Sequence, residues 1–287
     1  MEEITKKAYA KINLGLDVVR RLENGYHEVR MVMQTMGIYD ELTFTKLPDG
    51  IELSSNHGSL AMDESNLIYK AIRLMQDKYS IKGGVKAHLV KNIPIAAGLA
   101  GGSTDAAATL KAMNELFELG ASVKELMEIG VKIGADVPYC VMGGTALAEG
   151  IGEKLTALSP MPKCYLLVAK PPIDVSTKYV YEHLDAEGVK VHPDIDGMVA
   201  AVQKQNLAGV TERMANVLEE VTIKKHPVIS QIKEAMLEMG AENSLMSGSG
   251  PTVFGVFSEE QAAKTAYESL KLRFADATIF VTSLQNN

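Results

Sequence analysis

The chain has 287 residues, of which 46% are hydrophobic, and a formal net charge of −7. That length suits one large or two ordinary domains with a substantial core, and the composition excludes disordered and fibrous proteins. The acidic balance argues against nucleic acid or an anionic membrane as a partner and favours a small-molecule ligand. Cys140 and Cys164 form no metal or disulfide pattern, and no segment reaches the roughly 20 apolar residues that span a bilayer. We therefore expect a cytoplasmic protein, with a monomer and a homodimer both left open.

The first part of the chain predicts a hairpin of long strands. Residues 8–18 alternate between apolar and polar side chains, which predicts a strand with one buried face and places Lys11 and Asn13 on the other. The Asn24-Gly25 turn then leads into a returning strand over residues 26–38. Further strands are expected at residues 41–46, 51–54 and 85–90, and a helix at residues 66–78.

A loop of small residues then joins the end of a strand to the start of a helix. Glycines allow the backbone to approach a ligand, while Ser103 and Thr104 are typical of a helix start. Exposed N–H groups and the helix dipole at such a junction attract an anion, most naturally a phosphate. The loop is neither a Walker A nor a G-x-G-x-x-G motif. Its candidate nucleotide ligands are Pro94, Ile95, Ala96, Ala97, Gly98, Leu99, Ala100, Gly101, Gly102, Ser103 and Thr104.

The remaining elements predict an α+β protein. The helix after the loop is expected to reach about residue 119, and Ser122 and Glu125 form a capping box that opens the next one. Pro160 and Pro162 mark a boundary between domains at residues 1–160 and 161–287. Beyond it we expect strands at residues 165–169, 252–257 and 277–281, with helices between them.

Three polar or small-residue signals could carry chemistry. They are Lys11, the loop at residues 94–104, and the Ser-Gly-Ser-Gly turn within residues 246–252. Two of them have an ordinary structural interpretation when taken alone: Lys11 could belong to a solvated strand face, and the Ser-Gly-Ser-Gly turn could be an ordinary hairpin. Asp136, between a helix end and a new segment, is likewise more often a cap or turn residue.

Together, these signals resemble the GHMP kinase superfamily, which includes galactokinase, homoserine kinase and mevalonate kinase. Residues 94–107 are similar to the second motif of that family and residues 246–252 to its third. The resemblance implies a two-domain GHMP kinase fold, with an N-terminal domain like domain 2 of ribosomal protein S5 and a ferredoxin-like C-terminal domain. It also implies a kinase that uses ATP and Mg²⁺.

Within the family, the chain is most similar to members acting on a cytidine-diphosphate sugar alcohol in the non-mevalonate route of isoprenoid synthesis. The similar segments are residues 10–16, 24–27, 63–67, 134–138 and 143–146. The implied reaction transfers the γ-phosphate of ATP to the 2-hydroxyl of that substrate. Asp136 would accept the hydroxyl proton, and Lys11 beside it would offset charge on the phosphoryl oxygens.

The resemblance also suggests ligands for the rest of the two substrates. Tyr26 and His27 would clamp the cytosine ring, with Tyr181 on the other side. Other members of the family have a glycine where this chain has Ala100, and the side chain is expected to resist the positive φ that a glycine would adopt. The remaining candidates are Asn66, Leu67 and Lys70 on the adenosine side, Asn13 and Lys91 for the sugar alcohol or its phosphates, and Ser103 and Thr104 near Mg²⁺.

Two alternatives remain open at this stage. The first is a relative that phosphorylates another alcohol, such as homoserine or a mevalonate derivative, although a cytosine clamp would then have no purpose. The second is a nucleotide-sensing protein that has kept the fold and lost turnover, against which the presence of Lys11, Asp136 and the complete loop argues.

Overall fold

The computed structural model describes residues 2–286 and divides them into two compact units. The first unit contains the described residues up to Ala10, together with Ile38–Ile93 and Ala100–Met142. The second contains Lys11–Gly37, Pro94–Leu99 and the chain from Gly143 onward. The long strands β1 (Glu3–Arg21) and β2 (His27–Leu47) therefore contribute to both units.

The first unit packs a sheet against helices. The end of β2 pairs antiparallel with β4, and β3 pairs parallel with β4. Apolar side chains such as Phe44, Ile72 and Leu110 form one buried core between the strands and the helices. The elements that complete this unit are β3 (Ile51–Ser55), α1 (Leu67–Tyr79), β4 (Gly84–Val90), α2 (Gly101–Leu116), α3 (Val123–Val131) and α4 (Val137–Met142).

In the second unit, residues Met31 to Gln34 of β2 pair antiparallel with β5, which in turn pairs antiparallel with β6. Its other elements follow in chain order. They are β5 (Thr145–Glu149), β6 (Lys154–Ala157), β7 (Tyr165–Lys170), α5 (Thr177–His183), α6 (Ile195–Gln203), α7 (Leu207–Thr211), α8 (Glu219–Lys225), α9 (Val228–Glu238), β8 (Asn243–Met246), β9 (Val253–Phe257), α10 (Glu260–Arg273) and β10 (Thr278–Ser283).

The second sheet of this unit has the strand order β10-β7-β9-β8, with every neighbouring pair antiparallel. Helices separate β7 from β8 and β9 from β10, so the order is that of a ferredoxin-like β-α-β-β-α-β arrangement. The α+β class and the ferredoxin-like C-terminal sheet expected from the sequence are thereby confirmed.

Most predicted elements appear close to their expected places, and two expectations need correction. The strands predicted at residues 26–38 and 41–46 are one continuous strand, β2. The expectation of a single buried face for β1 is wrong, because every residue from Lys11 to Val18 is buried. The polar face is covered at Gly15, where an added Cβ would lie 3.0 Å from the side chain of Ile195 and about as close to Met198, both in α6.

Candidate active site

Lys11 and Asn13 are buried polar residues on β1 in the second unit. Lys11 is 5% exposed and Asn13 is fully buried, so neither belongs to a solvated strand face. The ammonium of Lys11 donates to Oδ1 of Asn13 at 2.8 Å, and the backbone N–H of Lys11 donates to the carbonyl of Leu99 at 3.2 Å. A buried ammonium is costly unless it is paired and hydrogen-bonded, and the bond to Asn13 is one such contact.

The first half of the small-residue loop packs against the Ser-Gly-Ser-Gly turn within the second unit. The hydroxyl of Ser247 donates to the carbonyl of Gly98 at 3.0 Å. A Cβ on Gly98 would collide with the carbonyl oxygen of Ser247 and lie 3.0 Å from that of Gly250. A Cβ on Gly248 would lie 3.5 Å from Oδ1 of Asn13. The structure thus brings together three segments that the sequence singled out separately.

The backbone of the loop is left-handed at several positions, including two alanines. Gly98 has a φ of 71°, while Ala96 and Ala100 have φ values of 51° and 57°. The expectation that Ala100 would resist positive φ is therefore wrong. Its carbonyl accepts the N–H of Thr104 at 2.9 Å, so the left-handed residue immediately precedes α2 and turns the chain into the helix.

The two hydroxyl residues of the first turn of α2 have different environments. Thr104 is buried, and its hydroxyl donates to the carbonyl of Tyr9 at 2.7 Å, which fastens α2 to β1 within the first unit. Ser103 is half-buried, and its neighbour Gly102 is exposed. This difference makes Ser103 the more accessible of the two predicted metal ligands.

The predicted adenosine-side residues lie at the start of α1. Asn66 is its N-cap: the side-chain oxygen accepts the N–H of Ile68 at 2.9 Å, and the amide nitrogen donates to the carbonyl of Ala61 at 2.7 Å. Leu67 is half-buried beside the loop, since a Cβ on Gly102 would lie 3.5 Å from its side chain. Lys70 is exposed on the same helix. Their contact with adenosine stays a prediction.

Lys91 takes part in a buried ion cluster that the sequence did not predict. Its ammonium lies 2.6 Å from a carboxylate oxygen of Asp40 and 2.7 Å from one of Asp105. Burial raises the pKa of Asp105 to about 7, the charge of Lys91 opposes that rise, and the carboxylate of Asp40 adds to it. Because two carboxylates already hold this ammonium, the structure favours a structural use over contact with the sugar alcohol.

Asp136 lies in the first unit immediately before α4. It is half-buried, and its carbonyl accepts the N–H of Cys140 at 3.0 Å, which begins the helix. The surrounding chain turns sharply, with the N–H of Val137 donating to the carbonyl of Gly134 at 3.1 Å. This position is consistent with a proton acceptor at a helix start, and its pairing with Lys11 stays a prediction.

The residues predicted to bind cytosine lie in the second unit. The rings of His27 and Tyr181 are adjacent, with centroids 5.3 Å apart and planes tilted by 39°. Tyr26 is 59% exposed, an unusual state for a large aromatic side chain. Burial lowers the pKa of His27, and the charge of Arg21 lowers it further, so the imidazole is neutral at neutral pH.

The structure adds residues that hold the Ser-Gly-Ser-Gly turn and that sequence reasoning missed. Asn216 donates from its amide to the carbonyls of Met246 and Gly248, both at 2.8 Å. The hydroxyl of Thr222 donates to the carbonyl of Ser249 at 3.2 Å. A buried amide in an irregular segment gives no periodic pattern in the sequence, so only the hydrogen bonds of the folded structure reveal this role.

Comparisons with known proteins agree on one family. The family description "GHMP kinases N terminal domain" matches residues 66–144, and "GHMP kinases C terminal" matches residues 198–276. The 4-diphosphocytidyl-2-C-methyl-D-erythritol kinase of Lachnospira eligens is 56% identical, with 98% of each chain covered. The kinase of the same name from Lachnoclostridium phytofermentans is 53% identical over 95% of this chain and 94% of its own.

Solved structures give the same result. A crystal structure of 4-(cytidine 5'-diphospho)-2C-methyl-D-erythritol kinase superposes with a TM-score of 0.85 at 30% identity, covering 99% of this chain and all of that one. Homoserine kinase from Cytophaga hutchinsonii superposes with a TM-score of 0.82 at 21% identity, covering 100% of this chain and 96% of its own. The latter likeness shows the fold alone.

Proposed function

This chain belongs to the GHMP kinase family, and from that premise we infer that it transfers the γ-phosphate of ATP to the 2-hydroxyl of 4-diphosphocytidyl-2-C-methyl-D-erythritol. The observation that carries this inference is its 56% and 53% identity, over nearly the whole chain, to kinases named for that substrate. The reaction is a step of the non-mevalonate route to isopentenyl diphosphate.

For the transfer itself, we propose Asp136 as the proton acceptor and Lys11 as the residue that offsets charge on the phosphoryl oxygens. The 2-hydroxyl oxygen attacks the γ-phosphorus, the bond from that phosphorus to the bridging oxygen breaks, and ADP leaves with the bond electrons. The hydroxyl proton passes to the carboxylate of Asp136. The burial of Lys11 supports this role, because in a low-dielectric site a fixed ammonium interacts strongly with developing negative charge.

We propose that residues 94–104 bind the triphosphate of ATP. The N–H groups at the start of α2 and the positive end of its dipole favour negative charge there. The left-handed residues at positions 96, 98 and 100 support the proposal because such turns present backbone N–H groups to an anion. Asn66, Leu67 and Lys70 would lie toward the adenosine.

Mg²⁺ would come with the nucleotide. Among the described residues, no group of three or more His, Cys, Asp or Glu side chains could hold a metal ion. Magnesium does not require such a group, because it is commonly held by one or two protein oxygens together with phosphates and waters. We propose Ser103 as the nearer protein oxygen, with Thr104 as the less accessible one. The ion would supply neutralising charge to the phosphates.

For the cytidyl substrate, we propose that cytosine stacks between Tyr26 and Tyr181 while His27 hydrogen-bonds its edge. Two observations support this arrangement: the ring of His27 lies beside that of Tyr181, and the ring of Tyr26 is exposed and so accessible for stacking. Asn13 would contact the sugar alcohol or its phosphates.

Three further expectations remain as proposals. We propose a cytoplasmic enzyme that is either a monomer or a homodimer. Within the described residues, no helix has the length and apolar character needed to cross a bilayer. We also keep the division into domains at residues 1–160 and 161–287, which the two family matches support by lying on either side of it.

The test of the proposed function is ADP release by the purified protein with Mg-ATP and a panel of acceptors. The panel comprises 4-diphosphocytidyl-2-C-methyl-D-erythritol, homoserine, mevalonate and no acceptor. We expect turnover that depends on the cytidyl substrate. Faster turnover with another alcohol would contradict the substrate assignment, and nucleotide binding without any turnover would contradict the enzymatic one.

A further inference from the structure

The buried ion cluster of Asp40, Lys91 and Asp105 joins three elements of the first unit. Asp40 belongs to β2, Lys91 follows β4 directly, and Asp105 lies near the start of α2. The three side chains are 0%, 5% and 5% exposed, and the two ion-pair distances are 2.6 and 2.7 Å. Removing three charged groups from water costs free energy that offsets the attraction between them, so a contribution to the stability of the fold does not by itself explain this cluster.

The cluster holds the chain at both ends of the small-residue loop. Before the loop, Oδ1 of Asp40 accepts the N–H groups of Asn92 and Ile93, at 2.6 and 2.8 Å. After the loop, the carboxylate of Asp105 is fixed by the same ammonium that Asp40 binds. Side chains of one cluster thus set where the chain enters and leaves residues 94–104.

Lys91 also approaches the first residue of α2. A Cβ on Gly101 would lie 3.0 Å from Nζ of Lys91, so the ammonium lies close to the backbone where the helix begins. A cation at a helix N-terminus is unfavourable for the helix by itself, but here the carboxylates of Asp40 and Asp105 offset its charge. The cluster therefore acts on the loop by fixing the position of the helix start, and not by adding positive charge to it.

We propose that Asp40, Lys91 and Asp105 are positioning residues of the nucleotide site, which hold the two ends of the loop and fix the start of α2. This inference rests on the proposed function, because it takes residues 94–104 as the ATP loop. It replaces the expectation that Lys91 contacts the sugar alcohol.

The test compares Lys91→Met, Lys91→Arg, Asp40→Asn and Asp105→Asn with the wild-type protein. Lys91→Met removes the shared cation, and we expect it to raise the KM and Kd for Mg-ATP by about tenfold or more while the KM for the cytidyl substrate changes by less than about twofold. Asp40→Asn is expected to act in the same direction, because both oxygens of Asp40 accept hydrogen bonds and the amide can replace only one of them. Lys91→Arg and Asp105→Asn, which retain a cation or an acceptor oxygen, should recover part of the nucleotide affinity.

Glu115→Gln is the matched control. It removes the exposed ion pair with Lys6 near the C-terminal end of the same helix, where the Nζ–Oε1 distance is 2.6 Å. We expect it to leave both KM values unchanged. Binding of the cytidyl substrate by each variant, measured by calorimetry without nucleotide, reports whether the variant is folded, and if Lys91→Met does not fold, Lys91→Arg and Asp105→Asn carry the comparison.

The outcomes separate this inference from the function on which it rests. Wild-type turnover together with unchanged nucleotide KM and Kd in the folded cluster variants would overturn the inference and leave the function intact. Equal losses for both substrates would also overturn it, because they would indicate a merely structural cluster. A wild-type protein that fails to bind Mg-ATP would contradict the proposed function itself.

Discussion

At the scale of single residues, the two left-handed alanines of the loop show how local strain is tolerated at a candidate phosphate site. Ala96 and Ala100 adopt φ values of 51° and 57°, which a Cβ disfavours. The sequence could identify the loop but not this conformation, because whether an alanine adopts a left-handed backbone conformation depends on the contacts around it. Ala100 keeps its strained conformation because it precedes the packed helix α2 and accepts the N–H of Thr104.

Ala100→Gly is expected to be neutral or stabilising, by up to about 1 kcal/mol, because glycine relieves the left-handed strain while it loses more backbone entropy on folding. Ala262→Gly, at an exposed position in α10, is the control and should lower the unfolding free energy by roughly 0.5–1 kcal/mol. Thermal and urea unfolding of both variants would measure the difference. A loss for Ala100→Gly as large as that of the control would contradict the strain argument.

His27 provides a pH-dependent prediction. Burial first and the charge of Arg21 second lower its pKa below the ordinary value of 6.5. The folded state therefore favours the neutral ring, and the stability contributed by this group is present above pH 6.5 and is lost as the pH falls below it.

Arg21→Gln is expected to raise the pKa of His27, while burial should still keep it below 6.5. An NMR titration of the His27 ring measures it directly. Arg20→Gln serves as the control, because that guanidinium pairs with Glu28 at 2.6 Å. A His27 pKa that stays unchanged in the Arg21 variant would refute the electrostatic part of the explanation.

Tyr26→Ala tests the cytosine clamp. The exposed ring contributes little to the core, so its loss should leave folding intact, and we expect a rise of about tenfold or more in the KM for the cytidyl substrate through lost stacking. The KM for ATP should stay within about twofold, since the nucleotide loop is unaltered. Steady-state kinetics with each substrate varied in turn would decide, and an unchanged cytidyl KM would argue against the clamp.

At the scale of elements, sequence reasoning located most helices and strands because their signals are local. The capping box of Ser122 and Glu125 opens α3 as predicted, and the N-cap Asn66 stands at the expected start of α1. The burial of both faces of β1 was not predictable, because the alternating pattern marks Lys11 and Asn13 only as polar. Asp40 was missed for a similar reason, since its partner Lys91 lies 51 residues further along the chain.

The packing of the loop against the Ser-Gly-Ser-Gly turn gives a prediction at this scale. In Gly98→Ala, the new Cβ would collide with the carbonyl of Ser247 at a backbone φ of +71°, so we expect lower stability and weaker nucleotide binding. In Gly102→Ala, the new Cβ would meet the side chain of Leu67 at an ordinary 3.5 Å, so the fold should be retained. Unfolding midpoints of the two variants provide the comparison, and equal stability would contradict the close-packing argument.

At the scale of the whole molecule, the family could be recognised from the sequence because several motifs occur in a fixed order along the chain. The α+β class was predicted from the succession of strands and helices, while the two-domain GHMP kinase fold followed from that recognition; the strand order β10-β7-β9-β8 agrees with both. Contacts between distant segments, such as those of Asn216 with the Ser-Gly-Ser-Gly turn, required the structure. The roles of Lys11 and Asp136 come from the family resemblance and need a chemical test.

The most direct test measures transfer of the γ-phosphate from labelled ATP to 4-diphosphocytidyl-2-C-methyl-D-erythritol by the wild-type protein and Asp136→Asn. Asp77→Asn, at an exposed position of α1, serves as the control. We predict labelled product from the wild type and the control, a kcat lower by about 10²-fold or more for Asp136→Asn, and a nucleotide Kd within about threefold of wild type. Wild-type protein that forms no labelled product, or near-normal turnover by Asp136→Asn, would contradict the account.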